Sequence, residues 1–232
     1  MLLLISGIII CLCLALLGRI AFLLRRIRRK RASFVWPLPP REQKGVPKGN
    51  QSPRKTLVVL GSGGHTSEMI QLICNLPAEQ YDPLIFVKAE TDQTSMGRVQ
   101  AAGLVSASTK VYNIPRAREV GQSYLSSIYT TLYAIIYAIQ LMASVKPDLL
   151  ICNGPGTCLP LCVSAFGWRV LGWTDTSIVF IESYCRVETM SLTGRLMYAW
   201  VDFCAVHWPN LQAKYPMTQC INTMIRHGKK AL

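Results

Sequence analysis

TLVVLGSGGHTSEM, residues 56–69, predicts a strand, a glycine turn and the start of a helix in direct succession. The first five residues are aliphatic or β-branched, and residues 66–68 have the chemistry of a helix start. The turn between them requires backbone freedom that glycine supplies without strain. Free amides in the turn and at the helix N-terminus favour an anion, and phosphate or diphosphate fits best. The sequence therefore predicts a phosphate-binding turn at Gly63 and Gly64.

The turn matches neither of two common nucleotide-binding loops. No Gly-Lys-Ser/Thr follows the glycines, as a Walker A loop requires, and Thr66 stands where the dinucleotide fingerprint has its third glycine. A glycine turn used only for close strand–helix packing remains the alternative. His65 favours a ligand site, because its imidazole follows the glycines beside a helix N-terminus.

An apolar segment at the start of the chain predicts a membrane anchor. Residues 2–24 are almost wholly apolar, and residues 25–31 are mostly Lys and Arg. About 20 apolar residues can cross a bilayer, and the lack of charge before Leu2 argues against a cleaved signal peptide. Basic residues after the span predict a single pass with a lumenal N-terminus and a cytosolic remainder. Leu159 and Leu161, predicted to be exposed, are expected to touch the same bilayer.

Positive charge is concentrated beside the predicted anchor. Residues 1–54 carry a net charge of +10 and residues 55–232 a net charge of +3. A nucleic-acid-binding protein would spread basic and aromatic residues over its folded domain, so no nucleic-acid partner is expected. Basic groups beside a membrane attract anionic headgroups. Residues 25–54 are rich in basic residues and proline and predict a juxtamembrane segment and linker.

The nine cysteines indicate reduced thiols in a cytosolic domain. Their number is odd, and most lie in apolar stretches. Cys152, Cys158 and Cys162 match no C-x-x-C spacing, so we expect buried thiols. No metal site and no cofactor are predicted.

Strand and helix patterns alternate through residues 55–219, which predicts one α/β domain with a Rossmann-like, mainly parallel sheet. Between the third and fourth strands, residues 122–144 repeat apolar side chains every three or four positions. This spacing predicts a helix whose aromatic residues pack in the core. Strands are expected at 56–60, 84–87, 108–111, 148–152, 177–181 and 203–206.

Polar residues and a second glycine turn follow these strands, at the edge where ligands bind in such sheets. Gly154 and Gly156 follow the fourth strand, Glu182 follows the fifth, and Arg116 lies just after the third. Amides, an imidazole, a carboxylate and a guanidinium group on one rim suit a phosphate-containing, hydroxyl-rich substrate. Four carboxylates are assigned to surface or capping positions: Asp82, Asp92, Asp175 and Asp202.

Four motifs, in this order after the anchor, resemble the membrane-anchoring subunit of the eukaryotic transferase that adds the second N-acetylglucosamine to dolichol diphosphate. They are LGSGGHTSEM, IPRAREV, KPDLLICNGPGTCLP and IESYCRVETMS, and the likeness covers roughly residues 1–216. The resemblance implies the acceptor-binding half of a GT-B fold, as in the bacterial peptidoglycan transferase MurG. UDP-GlcNAc would then be bound by a separate catalytic subunit, and this chain alone would be inactive.

The resemblance also implies a cellular location and binding partners. It implies the cytosolic face of the endoplasmic reticulum membrane, a dolichol-linked acceptor and a role in N-glycan precursor assembly. The donor-binding catalytic subunit is the expected partner, and the enzyme of the preceding GlcNAc-phosphate transfer step is a second one. A scaffold that only recruits the catalytic partner is the alternative function. An independent nucleotide-binding enzyme would require a second domain, for which residues 55–232 leave no room.

The family's functional residues can be carried onto matching positions. In an inverting mechanism a base removes the proton from the acceptor 4-hydroxyl group while that oxygen attacks the anomeric carbon of UDP-GlcNAc and UDP leaves. His65 and Glu182 are the candidates for this base, and the sequence does not choose between them. The residues expected to bind the acceptor diphosphate are Gly63, Gly64, Thr66, Gly154, Gly156 and Arg116.

The end of the chain departs from the family pattern. Family members have a short apolar tail that docks the donor-binding subunit, whereas residues 220–232 read CINTMIRHGKKAL. We therefore expect either weak pairing with the partner or a docking surface elsewhere, with the helix of residues 122–144 the next candidate.

Overall fold

A parallel sheet of seven strands organises the part of the chain that the computed structural model describes, which is residues 2–31, 36, 52–118 and 121–221. The order in space is β3-β2-β1-β4-β5-β6-β7, a doubly wound arrangement. The predicted strands are confirmed to within a few residues, and β7 was not predicted. The strands are β1 (Thr56–Val59), β2 (Leu84–Ala89), β3 (Lys110–Ile114), β4 (Leu149–Asn153), β5 (Ser177–Ile181), β6 (Phe203–Val206) and β7 (Gln219–Cys220).

Helices cover both faces of this sheet. Leu57 of β1 belongs to the core under α4, α5, α6 and α7, and Val58 belongs to the core under α2 and α3. Because side chains alternate along a strand and both faces are covered, β1 must be apolar throughout. The helices are α1 (Leu2–Arg31), α2 (Gly64–Cys74), α3 (Ser95–Ala101), α4 (Tyr124–Val145), α5 (Cys158–Val170), α6 (Leu192–Met197) and α7 (Pro209–Lys214), with a short 3-10 helix at Ala78–Gln80.

α1 continues without a break through the basic residues that follow the apolar span. Residues 5–19 are exposed, whereas Leu23 and Ile27 are buried against the domain. The Arg31 side chain donates from Nε to the Val201 carbonyl oxygen at 2.9 Å. The last turns of α1 are therefore part of the folded domain, and the domain lies directly at the end of the exposed span.

α4 confirms the predicted helix, but the prediction that its aromatic residues pack in the core is wrong. Leu125 is 83% exposed and Tyr129 76%, and the inward face carries small or flexible residues such as Ala134, Ala138 and Met142. Helical periodicity reports an apolar face but not what covers it. Within the described residues, two helices are long and apolar enough to span a bilayer, Ile5–Arg31 and Leu125–Val145.

Two further expectations, about α5 and the end of β4, meet different outcomes. Leu161 is fully buried and Leu159 is partly buried in the core, so the prediction that Leu161 is exposed to the bilayer is wrong. Cys152, Cys158 and Cys162 are buried free thiols, as predicted. Burial, followed by the neighbouring thiols, raises the pKa of Cys152 well above its ordinary value, which keeps this thiol protonated and unreactive.

Asp202 was assigned to a surface or capping position, and this assignment is wrong. Its side chain is buried and forms a two-pronged ion pair with the buried Arg169, at 2.6 Å and 3.1 Å. It also accepts a hydrogen bond from the Ile178 backbone amide at 2.9 Å. The carboxylate thus joins the end of α5 to the starts of β5 and β6.

The predicted tail lies almost entirely outside the described residues, which end at position 221. Cys220 forms part of β7, and Ile221 is buried in the core. The segment boundaries at 24 and 54, and the docking role of the tail, stay predictions.

Candidate active site

An open crevice lies at the carboxyl ends of β1 and β4, where the strand order reverses. α2 begins there at Gly64, with Gly63 as its N-cap at φ 65°, a conformation that favours glycine. The N-cap is a glycine, so it has no side chain with which to cap the helix start. A Cβ added at Gly64 would meet nothing within 4 Å, so a ligand atom can approach the backbone amides closely.

His65 is the first candidate side chain above this turn, and its ring is held by a neighbouring strand end. Its Nδ1 lies 2.9 Å from Oδ1 of Asn153, the last residue of β4. The Asn153 amide nitrogen Nδ2 donates at 3.0 Å to Oε2 of Glu68, one turn further along α2. A carboxylate only accepts hydrogen bonds, so it orients the amide with its oxygen toward the ring. Nδ1 therefore carries the proton, and the neutral ring has its acceptor lone pair on Nε2.

Glu68 is itself fixed from the opposite side. Its Oε1 accepts hydrogen bonds from the Ser183 hydroxyl at 3.0 Å and from the Tyr184 backbone amide at 3.3 Å. These donors follow β5, so one carboxylate links α2 to the ends of β4 and β5. Sequence reasoning missed this role, because Glu68 looks like an ordinary first-turn acidic residue and its partners are distant in the chain.

Two glycines leave space for the imidazole. A Cβ on Gly154, which has φ 63°, would lie 2.7 Å from His65 Cε1. A Cβ on Gly61 would lie 2.7 Å from His65 Cβ and 2.9 Å from a carbon of Pro155. Gly156, in contrast, faces open space. The second glycine turn therefore holds the histidine in place as well as bordering the crevice.

Glu182 lines the same crevice but is fully buried. Its oxygens accept hydrogen bonds from the backbone amides of Ser183 at 3.0 Å and Ser191 at 2.8 Å. The Ser191 hydroxyl adds a further bond at 3.0 Å. A Cβ on Gly194 would lie 2.5 Å from Oε2, so α6 packs directly on this carboxylate. Glu182 is thus engaged in holding the loop after β5.

Thr66 lies beneath the turn rather than in the crevice. Its buried hydroxyl group donates to the Gly61 carbonyl oxygen and lies 2.7 Å from the Ser95 hydroxyl group. The Ser95 hydroxyl group also donates a hydrogen bond to the Asp92 carboxylate. The same carboxylate accepts from the backbone amides of Thr94 and Ser95 at 3.0 Å and 3.1 Å. Burial alone would raise the pKa of Asp92, but these hydrogen bonds hold it below its ordinary value. Asp92, assigned to a surface or capping position, is therefore a buried carboxylate that holds the backbone at the start of α3.

Arginine side chains surround the glycine turn. Arg116 donates to the Ser62 hydroxyl at 3.3 Å. Arg98, which no motif indicated, donates to the Gly63 carbonyl oxygen at 3.0 Å. Arg186 lines the crevice from the loop after β5. Guanidinium groups on several sides favour an anionic ligand over the turn.

The structure brings most of the predicted site residues together at one edge of the sheet. His65, Glu182, Gly64 and Gly154 line one crevice, Gly63 and Arg116 flank its rim, and Thr66 supports it from below. Gly156 follows Gly154 in the second turn without lining the crevice itself. The lining residues are Gly64, His65, Glu68, Gly154, Glu182, Ser183, Cys185, Arg186 and Ser191.

A doubly wound parallel sheet with an amide-rich turn at its switch point defines a Rossmann-like α/β domain. A model of the family described as "Oligosaccharide biosynthesis protein Alg14 like" matches residues 56–224, and the chain belongs to this family.

Curated relatives agree with this assignment. The rat UDP-N-acetylglucosamine transferase subunit ALG14 is 40% identical over 198 residues, covering 82% of this chain and 87% of the relative. The human protein of the same name is 41% identical, covering 75% and 86%. The Yarrowia lipolytica protein of that name is 38% identical, covering 71% and 78%.

Two solved structures superpose on this chain at low sequence identity. A UDP-N-acetylglucosamine 2-epimerase superposes with a TM-score of 0.52 and 18% identity, over 78% of this chain and 45% of the epimerase chain. The MurG structure from Acinetobacter baumannii gives a TM-score of 0.49 and 15% identity, over 68% of this chain and 42% of MurG. The chain thus spans less than half the length of either structure.

Proposed function

We propose that this chain is the membrane-anchoring and acceptor-binding subunit of a heteromeric UDP-GlcNAc transferase. The assembled transferase would transfer GlcNAc to GlcNAc-diphosphate-dolichol in N-glycan precursor assembly. This chain would recruit the donor-binding catalytic subunit to the cytosolic face of the endoplasmic reticulum. The observation that carries the proposal is the crevice between β1 and β4, where a fixed histidine stands beside an uncapped helix N-terminus. The names of the curated relatives support the type of transferase.

The acceptor diphosphate is proposed to bind over the Gly63–Gly64 turn. The first amides of α2 have no side-chain cap, and the space above Gly64 is open. Arg98, Arg116 and Arg186 add positive charge around that space. A diphosphate placed there would receive backbone hydrogen bonds and the favourable end of the helix dipole.

His65 is the proposed general base. The Asn153 and Glu68 side chains leave the acceptor lone pair of the neutral ring on Nε2, which can take a proton from the acceptor 4-hydroxyl group. When that nitrogen becomes protonated, Glu68 stabilises the positive ring through the Asn153 amide. Glu182 is the less favoured candidate, because its oxygens already accept hydrogen bonds from Ser183 and Ser191.

We expect the purified full chain to show no transfer without a donor-binding partner. The described residues form one sheet domain, whereas a transferase of this fold aligns donor and acceptor in a cleft between two domains. The measurement is GlcNAc transfer to a GlcNAc-diphosphate-lipid in detergent, with the chain alone and with the partner added. Turnover by the chain alone would contradict the half-cleft proposal.

The Gly64→Val substitution is expected to impair acceptor use with little loss of folding. The backbone there tolerates a side chain, but a branched one would occupy the space proposed for phosphate. The apparent KM for the acceptor should rise several-fold in the assembled pair. Gly167→Val is the matched control, since Gly167 also lies in a helix with open space around it, but on α5. Equal acceptor KM in the two variants would show that the glycine turn serves packing only.

A further inference from the structure

The outward face of α4 is an apolar surface with no described side chain packed over it. Eight of its large residues are at least 40% exposed, and the helix contains no Asp, Glu, Lys or Arg from Tyr124 to Val145. A water-facing helix normally carries charged residues on that side. The exposed residues are Leu125, Ile128, Tyr129, Leu132, Tyr133, Ile136, Tyr137 and Ile139.

We infer that α4 lies flat in the membrane–water interface, with this face against lipid and beside the α1 anchor. The inference rests on the proposed membrane insertion of α1. The occupant is a lipid surface, because α4 packs on α5, which contacts the anchor helix α1, and basic groups lie at both ends of α4.

Contacts of α1 place the membrane on the α4 side of the sheet. α1 leaves the domain along the end of α5, where Arg19 donates to the Arg169 carbonyl oxygen at 3.4 Å and Arg26 pairs with Asp175 at 2.9 Å. α5 is also the main helical neighbour of α4. The exposed part of α1, residues 5–19, extends from there for roughly 22 Å at 1.5 Å per residue. The layer formed by α4 and α5 is thus the part of the domain next to the exposed span.

The ends of α4 have the chemistry of a membrane interface. Lys146 follows the helix, and its ammonium group lies 4.1 Å from the ring centre of Trp173, which is 56% exposed. Leu171, beside that tryptophan, is 69% exposed. At the other end Arg118 donates to the Gln122 carbonyl oxygen at 2.9 Å. Tryptophan and basic residues at the headgroup level suit anionic lipids.

α4 lies along the membrane in this proposal rather than across it. Ala138 and Met142 pack into the same core as Leu57 and Leu150 of the sheet, so the helix is a fixed layer of the domain. An interfacial helix of this kind buries one face in lipid while its other face stays with the protein. Because α4 begins at the carboxyl edge of the sheet, its lipid-facing start lies on the side of the crevice. A lipid-linked acceptor could then reach the site without leaving the bilayer.

The test uses a photoreactive benzophenone amino acid placed at single positions of the full chain. The chain is reconstituted in phosphatidylcholine and phosphatidylserine vesicles, and adducts to radiolabelled acyl chains are measured after illumination. The positions are Tyr129 on α4, Leu12 on α1 as positive control, and Gln100 on α3 as control on the opposite face of the sheet. We expect lipid adducts at Tyr129 to exceed those at Gln100 several-fold.

The outcomes separate this inference from the anchor on which it rests. Lipid adducts at Leu12 combined with a Tyr129 signal no higher than Gln100 would overturn the inference while leaving the anchor in place. Tyr129 adducts only to protein would overturn it in favour of a protein-binding face. Repeating the illumination with the donor-binding partner present should leave the Tyr129 lipid adduct unchanged, and its loss would likewise assign the face to the partner.

Discussion

The His65→Ala variant of the assembled transferase should lose about 10²–10⁴-fold in kcat, the range typical for removal of a positioned general base. The variant should still recover the donor-binding partner in co-purification. Alanine removes the ring without adding bulk, and the His65 side chain is only half-buried at the edge of the open crevice. The fold has little reason to change, so the loss should lie in the chemical step rather than in assembly.

A second substitution in the same experiment is expected to lower kcat by a smaller factor. Glu68→Gln replaces an obligate acceptor by an amide that can also donate to Asn153, so the amide no longer has one preferred orientation. The His65 ring would then lose its fixed tautomer, and kcat should fall less than in His65→Ala while acceptor KM changes little. Steady-state kinetics of the assembled pair, with kcat and acceptor KM determined separately, provide the measurement.

Two results would contradict this account. If His65→Ala transferred sugar normally while the partner still co-purified, the chain would act as a scaffold that only recruits the catalytic subunit. If Glu182→Gln abolished transfer with folding intact and His65→Ala did not, Glu182 would be the base. The comparison therefore decides between the two catalytic candidates and between the two functions.

The Asp202→Ala variant should be the most destabilised of the single substitutions considered for this chain. It leaves the Arg169 guanidinium group, which is 3% exposed, without its bidentate partner and removes the acceptor of the Ile178 amide. Breaking a buried ion pair in this way costs about 3–5 kcal/mol in the free energy of unfolding. For a domain of this size each kcal/mol lowers the melting temperature by roughly 2–4 °C.

The control for this prediction is Asp175→Ala. Asp175 also contacts Arg169, at 3.7 Å, but its side chain is 61% exposed, and its closer partner is Arg26. Exposed ion pairs contribute about 1 kcal/mol or less, so this variant should melt close to the original chain. Thermal unfolding in detergent provides the comparison. Equal melting temperatures for the two variants would show that the buried pair is not a principal tie between α5 and the sheet.

A paired substitution separates charge from packing. Arg169→Met together with Asp202→Leu removes both charges and keeps apolar volume, which should recover much of the stability lost in Asp202→Ala. Recovery would show that the cost arises from the unpaired guanidinium group. A double variant as unstable as the single one would instead assign the cost to the lost hydrogen bond at Ile178.

The sequence by itself determined the alternation of strands and helices and the edge of the sheet at which the candidate site residues meet. Residues 56–69 encode a buried strand, a turn that only glycine adopts and a helix start, all of which depend on neighbours in the chain. The rule that ligands bind at the carboxyl edge of parallel strands then collected His65, Gly154 and Glu182 on one rim. These inferences succeeded because local backbone chemistry and side-chain period suffice to make them.

Only the tertiary structure decided what each of these residues touches. The Glu68–Asn153–His65 chain of hydrogen bonds joins the first turns of α2 to the end of β4. Its members are 85 and 88 residues apart in the chain, and no local pattern encodes such a contact. The sequence around Asp202 indicates a surface or capping carboxylate, and only the fold brings Arg169 beside it in the core. The exposed apolar residues of α4 recur at the same three- and four-residue spacing as those of a buried helix. This spacing follows from helix geometry alone, whereas the burial of the face depends on what packs against it.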